Sequence, residues 1–172
     1  MAKTDSFFIR KSLQVDNSGT FTETPIDLGA FVDALGKSVL RIHNLHMQVS
    51  DSTGNAAQLQ ASADSAAAQF QLTTQTQTDT VLASNKSVIA TGIVYAVNSF
   101  STDEFPQVYQ DMDILPQNWT NGYLVAVEEI YLGGEGSSGW VAAEDLTLSV
   151  VMECTVETLS EKAAMALALS QQ

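Results

Sequence analysis

Four carboxylates in one segment of the chain have side chains of a type that could bind a metal ion. They fall in a long segment, 101–122, that holds two of the three prolines, and they are Asp103, Glu104, Asp111 and Asp113. Carboxylate oxygens are the ligands that Ca²⁺ prefers. Their spacing matches no known calcium loop, however, and "DSTGNAAQ" from Asp51 lacks the glycine and the glutamate of an EF-hand. The pattern favours a solvated acidic loop, with these four side chains as the candidate metal ligands.

The residue types that perform catalysis are not arranged for it. His43 and His46 are three residues apart, so a regular strand would place them on opposite faces, and they lack the spacing of a cupin metal site. No G-x-S-x-G motif is present, and "GGEGSSG" lacks the Lys-Ser/Thr ending of a phosphate-binding loop. Cys154, the only cysteine, lies in an apolar strand row, which favours an inert buried thiol. We therefore predict no catalytic residue, no cofactor and no enzyme.

The composition is that of a folded, acidic protein. A chain of 172 residues with 45% hydrophobic and 16% charged residues fits one globular domain. The net charge of −13 reflects only seven Lys and Arg, and Arg10-Lys11 is the only adjacent cationic pair. Because proteins that neutralise phosphates need clustered cations, we expect no direct nucleic-acid binding. No leader peptide and no transmembrane segment are visible, so synthesis in the cytoplasm is expected.

Alternating apolar residues predict an all-β protein. The strongest pattern runs from Leu146 to Thr158, and a second strand, "SVLRIHNLHMQVS", changes phase midway as a β-bulge or a strand shared between sheets would. The sequence predicts seven or eight strands in total, and they do not alternate with the full-length helices of a parallel α/β fold. The expected class is an antiparallel β-sandwich or single jelly roll, and its expected core consists of Leu148, Val150, Met152, Val156, Ile93, Val125 and Val127.

Two helices are expected beside the strands. Leu28, Phe31, Val32 and Leu35 have helical spacing between Asp27 and Gly36, which predicts a short amphipathic helix. The segment 50–68 is expected to be a loop, as is 101–122. The tail "EKAAMALAL" is apolar on nearly every side and too short to span a bilayer. With Ser160 as N-cap it predicts a short helical arm, so we divide the chain into a sandwich domain, 1–159, and an arm, 160–172.

The tail can pack in two ways that the sequence leaves open. A helix of about two turns is marginal in water and must dock on another surface, either its own domain or a neighbouring copy. A tail apolar all round can be covered by two surfaces at once, which favours the neighbouring copy. Met165, Leu167 and Leu169 are therefore the predicted assembly residues. Truncation after Leu159 would distinguish the alternatives through its effects on oligomerisation and melting.

The strand order combines with three stretches of sequence: the "DLGAFVDALG" segment, "GYLVAVEEIYLGGEG", and the long "LTLSVVMECTV" strand followed by its arm. In these features the whole chain resembles the small single jelly-roll coat proteins of tailless icosahedral viruses, especially those of archaea and bacteria. The resemblance implies a capsid subunit in the virion, with copies of itself and other capsid proteins as partners. "MAKTDSFF" departs from the basic N-terminal arm of many such coats, which implies a genome packaged beneath a membrane or another protein layer. The alternative is a non-catalytic binding or adhesive sandwich, for example a carbohydrate-binding module on a larger particle or fibre.

Overall fold

Nine strands and one α-helix make up the described part of the chain. The computed structural model describes residues 4–33, 37–57, 59, 65–97, 107–141 and 146–172, and only the backbone of 107–113. The strands are β1 (Phe7–Val15), β2 (Thr22–Asp27), β3 (Ser38–Ser50), β4 (Ser65–Thr73), β5 (Val88–Val97), β6 (Gln107–Ile114), β7 (Tyr123–Val125), β8 (Glu129–Gly136) and β9 (Leu146–Thr158). A 3₁₀ turn (Pro116–Asn118) precedes β7, and α1 (Glu161–Ser170) follows β9.

The strands pair in a nested order. β1 pairs with β9, β2 with β8, β3 with β7 and β4 with β5, and each of these pairs is antiparallel. Successive pairs fall in different sheets, so the first sheet has the order β1-β9-β3-β7 and the second β2-β8-β4-β5-β6. An antiparallel ribbon wound in this way into two facing sheets is a jelly roll. The predicted class, an antiparallel sandwich of single jelly-roll type, is confirmed.

The core lies between the two sheets. Leu148, Val150 and Met152 of β9 are almost fully buried, and Val125 and Val127 join them, as the period-two pattern predicts. Val156 is half-buried against the same core. The prediction for Ile93 is wrong: it is half-buried opposite Gln69, while Ile89, Ala90 and Ala96 are the residues of β5 that belong to the core. β5 is apolar on both faces, so alternation alone could not tell which row points inward.

The change of phase in β3 is a β-bulge. The register with β9 shifts between Ile42 and Asn44, and His43 is the extra residue. Before the bulge Leu40 and Ile42 are buried, and after it Leu45 and Met47 are buried. The bulge therefore keeps an apolar row on the core face along a strand of 13 residues, as the slipped pattern predicted.

Several local predictions were wrong. Within the predicted helix 27–36, residues 28–33 form a turn with Val32 N–H bonded to the Leu28 carbonyl, and 34–36 lie outside the described residues. Pro25 lies inside β2, which is tolerated because β2 is an edge strand. The predicted loop 50–68 overlaps β4, which begins at Ser65. The stretch "YLVAVEEIYL", which reads as one continuous apolar strand, is divided into β7 and β8 in different sheets.

The largest difference concerns the segment predicted as a long loop, 101–122. Residues 107–114 form β6, which pairs with β5 at the edge of the second sheet. Its composition, "QVYQDMDI", has little β-branched content, so its strand conformation depends on pairing with β5 rather than on local propensity. Among the described residues no helix is long and apolar enough to cross a membrane.

Candidate assembly surface

The structure does not bring the four candidate metal ligands together as a described site. Asp103 and Glu104 lie outside the described residues. Asp111 and Asp113 belong to the edge strand β6 rather than to a loop. Within the described part of the chain, no group of three or more His, Cys, Asp and Glu side chains could hold a metal ion.

His43 and Cys154 take part in structure, whereas His46 is exposed on β3. His43, at the bulge, lies with its Nε2 2.9 Å from the Thr155 hydroxyl on β9. Cys154 is fully buried in the core, and this burial, with a smaller contribution from the Glu153 charge, raises the pKa of the thiol to about 12. A thiol with that pKa is almost entirely protonated at neutral pH, so Cys154 is chemically inert, as the sequence predicted.

The C-terminal helix docks on the outer face of the first sheet. Ser160 caps α1 by accepting a hydrogen bond from the Ala163 N–H at 3.3 Å. The buried residues of α1 are Ala164 and Ala168, which pack against Val39 and Ala126 in a cluster separate from the main core. The small alanine side chains allow the helix backbone to approach the sheet closely. One of the two roles left open for the tail, packing on its own domain, is thus visible in the structure.

Gln171, directly after α1, joins the tail to both sheets. Its side chain accepts a hydrogen bond from the Ala126 N–H at 2.9 Å and donates one to the Leu124 carbonyl at 2.6 Å, both at the end of β7. Its own carbonyl accepts hydrogen bonds from Thr74 and Gln75, which follow β4 in the second sheet. Gln171 is 3% exposed, so these bonds are shielded from water. We call this set of contacts the Gln171 latch.

A buried ion pair lies on the same outer face as α1. Arg41 on β3 contacts Glu157 on β9 through two parallel bonds, Nε to Oε1 at 2.7 Å and Nη2 to Oε2 at 2.8 Å. The pair lies beside Val39, the register partner of Glu157, and Glu157 is 1% exposed. The hydrogen bonds to Glu157 raise the pKa of Arg41, so the guanidinium stays charged. In the alternating pattern of β9, Glu157 falls in the row opposite the core residues, so nothing in the sequence pointed to the pair.

The predicted assembly residues divide between the two sides of α1. Leu167 is half-buried and packs against the cluster that α1 forms with Val39 and Ala126. Met165 and Leu169, four residues apart and therefore on one face of the helix, are 45% and 66% exposed. The tail thus buries a row of small side chains on its own domain and presents two large apolar side chains outward. We call Met165 and Leu169 the tail pair.

One edge of the first sheet is covered by a side chain. β7 is only three residues long and pairs with β3 from Leu40 to Ile42. Beyond the bulge, the Gln117 carboxamide accepts from the Leu45 N–H at 3.0 Å and donates to the Leu45 carbonyl at 2.9 Å. Gln117 therefore makes the two bonds that a neighbouring strand would make, and it blocks strand addition at this point.

The remaining edges are formed by longer strands. β1 is the other edge of the first sheet, and β2 and β6 are the edges of the second. On β1, Phe8 is 55% exposed, and the Arg10 guanidinium lies 5.4 Å from the centre of its ring. Lys11 occupies the row of Leu13 and Val15 that faces the core, yet it is only half-buried. β1 therefore presents an aromatic ring and two cations along an open edge.

Comparison with known proteins shows which solved structures share the fold of this chain. No family model matches the chain, and no curated protein matches it. VP1 of chimpanzee polyomavirus is 7% identical with a TM-score of 0.51, and the match covers 90% of this chain and 95% of that one.

A second solved structure gives a similar match. VP1 of Trichodysplasia spinulosa-associated polyomavirus, in complex with sialylated precision glycooligomers, is 8% identical with a TM-score of 0.50, covering 88% and 95% of the two chains. A more distant match is the structure of Cocksfoot mottle virus, 10% identical with a TM-score of 0.43, covering 95% and 98%. The chain is thus a single jelly roll that shares the fold of polyomavirus VP1 over most of its length.

Proposed function

We propose that the protein is a structural subunit of a viral capsid or a similar particle and assembles with copies of itself through sheet edges, loops and the C-terminal arm. The observation that carries the proposal is the extent of the shared fold: the match with chimpanzee polyomavirus VP1 spans 90% of this chain and 95% of VP1. The jelly roll here has no large inserted domain among its described residues, and its strands are spread along the chain from Phe7 to Thr158.

The tail pair supports a self-associating surface. Met165 and Leu169 lie on a helix whose other side is already packed, so their exposure does not come from an undocked tail. Exposed large apolar side chains on one face of an anchored helix favour contact with another protein surface. In this proposal α1 is held by its own domain and contacts a neighbouring copy through the tail pair.

The proposal places the subunit in a virion shell that does not contact the genome directly. A net charge of −13 repels phosphates, so the genome would lie beneath a membrane or another protein layer, and other capsid proteins would be further partners. Assignment to a virus of archaea or bacteria rests on the sequence resemblance alone and is part of the proposal.

The test compares the assembled fraction of the wild-type chain with that of M165S/L169S by light scattering on a sizing column. Burial of large apolar side chains contributes about 1.5–3 kcal/mol each, and about half of each side chain is available. We therefore expect the double substitution to weaken the affinity of each contact between copies about tenfold or more.

Leu82→Ser is the matched control, because Leu82 is 79% exposed and lies outside α1, in the segment between β4 and β5. It should leave assembly unchanged. Because all three side chains are exposed, each variant should melt within a few degrees of the wild type. A wild-type chain that remains monomeric at every concentration and salt would overturn the proposal. Assembly of M165S/L169S equal to that of the wild type would remove the tail pair from it.

A further inference from the structure

Two open edge strands lie on opposite flanks of the sandwich. β1 ends the first sheet on the flank where β2 ends the second, and β6 ends the second sheet on the flank of β7. β1 has nine residues and β6 has eight, so they are matched in length. Among the described pairings, β1 bonds only to β9 and β6 only to β5, which leaves one side of each strand open.

The two strands run in opposite directions within one subunit. β2 returns from the end of β1 after a six-residue turn, so it runs against β1. From β2 to β6 the second sheet has four antiparallel steps, β2-β8-β4-β5-β6, which give β6 the direction of β2. A copy rotated about an axis along the strands would therefore bring its β6 antiparallel to β1 of its neighbour. No inversion of the subunit is needed.

The charges of the two strands are complementary. β1 contains Arg10 and Lys11, the only adjacent cations in the chain, and no acidic residue. β6 contains Asp111 and Asp113 and no cation. An antiparallel register that aligns the strand centres places Asp111 opposite Arg10 or Lys11. Opposite charges on directly facing residues stabilise a strand pair, and like charges destabilise it.

We propose that β1 of one copy pairs with β6 of the next copy, head to tail, so that the first sheet of one subunit continues into the second sheet of its neighbour. This inference rests on the proposed self-assembly and names its contact. A contact between two different patches on opposite flanks repeats around an axis, so it closes a ring when the rotation is suitable. Rings of this type would be the capsomers of the particle.

The same charges exclude the competing contact between two copies of β1. Antiparallel pairing of β1 with itself would bring Arg10 and Lys11 of both copies together, and cations at a sheet edge prevent such pairing. The cationic edge therefore selects an acidic partner strand over its own copy. The tail pair lies outside both strands, so it can add a second, independent contact.

The test reverses the charges on each edge separately and then together. R10E/K11E and D111K/D113K should each lower the assembled fraction about tenfold or more, because each places like charges face to face. The combination of all four substitutions restores opposite charges in exchanged positions, so it should recover assembly. K37E/S52E/S84E and D79K/E128K are matched controls that change the net charge equally at exposed residues outside both strands and outside the arm, and they should assemble like the wild type.

Hydrogen exchange on the wild-type chain tests the contact without any substitution. Backbone amides of β1 and β6 should exchange at least about tenfold more slowly in the assembled protein than in the dissociated subunit. Unchanged exchange in both strands, or assembly by the two double variants equal to that of the wild type, would overturn this inference and leave the proposed function standing. A wild-type chain that never assembles would overturn both.

Discussion

Replacing Gln171 by alanine removes the side chain that joins the tail to the end of β7. The Ala126 N–H loses its acceptor and the Leu124 carbonyl loses its donor. Ala126 is 1% exposed, so water cannot replace the bond that its N–H loses. Leu124 is half-buried, so water can replace only part of the bond that its carbonyl loses.

The expected loss follows from these two groups. A buried polar group left without a partner costs about 1–3 kcal/mol, so Gln171→Ala should lower the free energy of unfolding by about 2–4 kcal/mol. In a domain of this size 1 kcal/mol corresponds to about 2–4 °C, so the melting temperature should fall by roughly 5–15 °C. Urea unfolding followed by circular dichroism would measure the change, with an unchanged slope showing that the denatured state is not altered.

Gln172→Ala is the matched control, since the neighbouring glutamine is exposed and uses its backbone carbonyl to contact Lys86. It should stay within about 0.5 kcal/mol of the wild type. Gln171→Glu, which keeps an acceptor for Ala126 but removes the donor to Leu124, should be as destabilising as the alanine variant or more so. If Gln171→Ala also stays within about 0.5 kcal/mol of the wild type, the latch does not hold the tail and the reasoning is refuted.

Three further predictions concern the ion pair, the thiol and the surface charge. Glu157→Gln should lower the free energy of unfolding by about 2–4 kcal/mol. This is near the lower end of the cost of breaking a buried pair, because Arg41 keeps its contact with the Asn121 carbonyl. The control Glu161→Gln, at an exposed site, should leave the free energy of unfolding unchanged. Unfolding energies equal for the two variants would contradict the role given to the pair. Cys154 should react with a thiol reagent only from opened states of the protein, so at any one pH its rate should be at least about 100-fold lower than in the urea-unfolded chain. A rate close to that of the unfolded chain would mean that the thiol is accessible in the folded state. Duplex DNA should not bind at physiological salt, as measured by fluorescence anisotropy, and tight binding that weakens steeply with added salt would reveal a hidden cationic surface.

The strands that carry the core were predictable from sequence because their periodicity is set by burial. β9 has the bounds Leu146–Thr158 that its alternating residues predict, and the bulge at His43 follows from the change of phase in β3. β6 was missed because its polar composition resembles a loop, and its conformation depends on β5, which is distant in sequence. Ile93 was misplaced because a strand apolar on both faces gives no signal of its inward row.

The assembly surface was only partly predictable, since the tail has apolar residues on all sides. Sequence reasoning gave weight to the large residues Met165, Leu167 and Leu169, whereas the domain itself buries the small ones, Ala164 and Ala168. Gln171 has no sequence signal, because its role comes from backbone groups that only the fold brings near it. A truncation after Leu159 would remove the buried alanines of α1, the Gln171 latch and the tail pair together. Point variants therefore separate these roles better.

The native mass of the full chain in solution tests the central claim most directly. Mass photometry over a range of protein concentration and ionic strength would detect single subunits, rings and shells in one experiment. A subunit that assembles despite a net charge of −13 should form defined multiples of the chain, and added salt should favour them by screening the repulsion between copies. A single species with the mass of one chain under every condition would contradict the account.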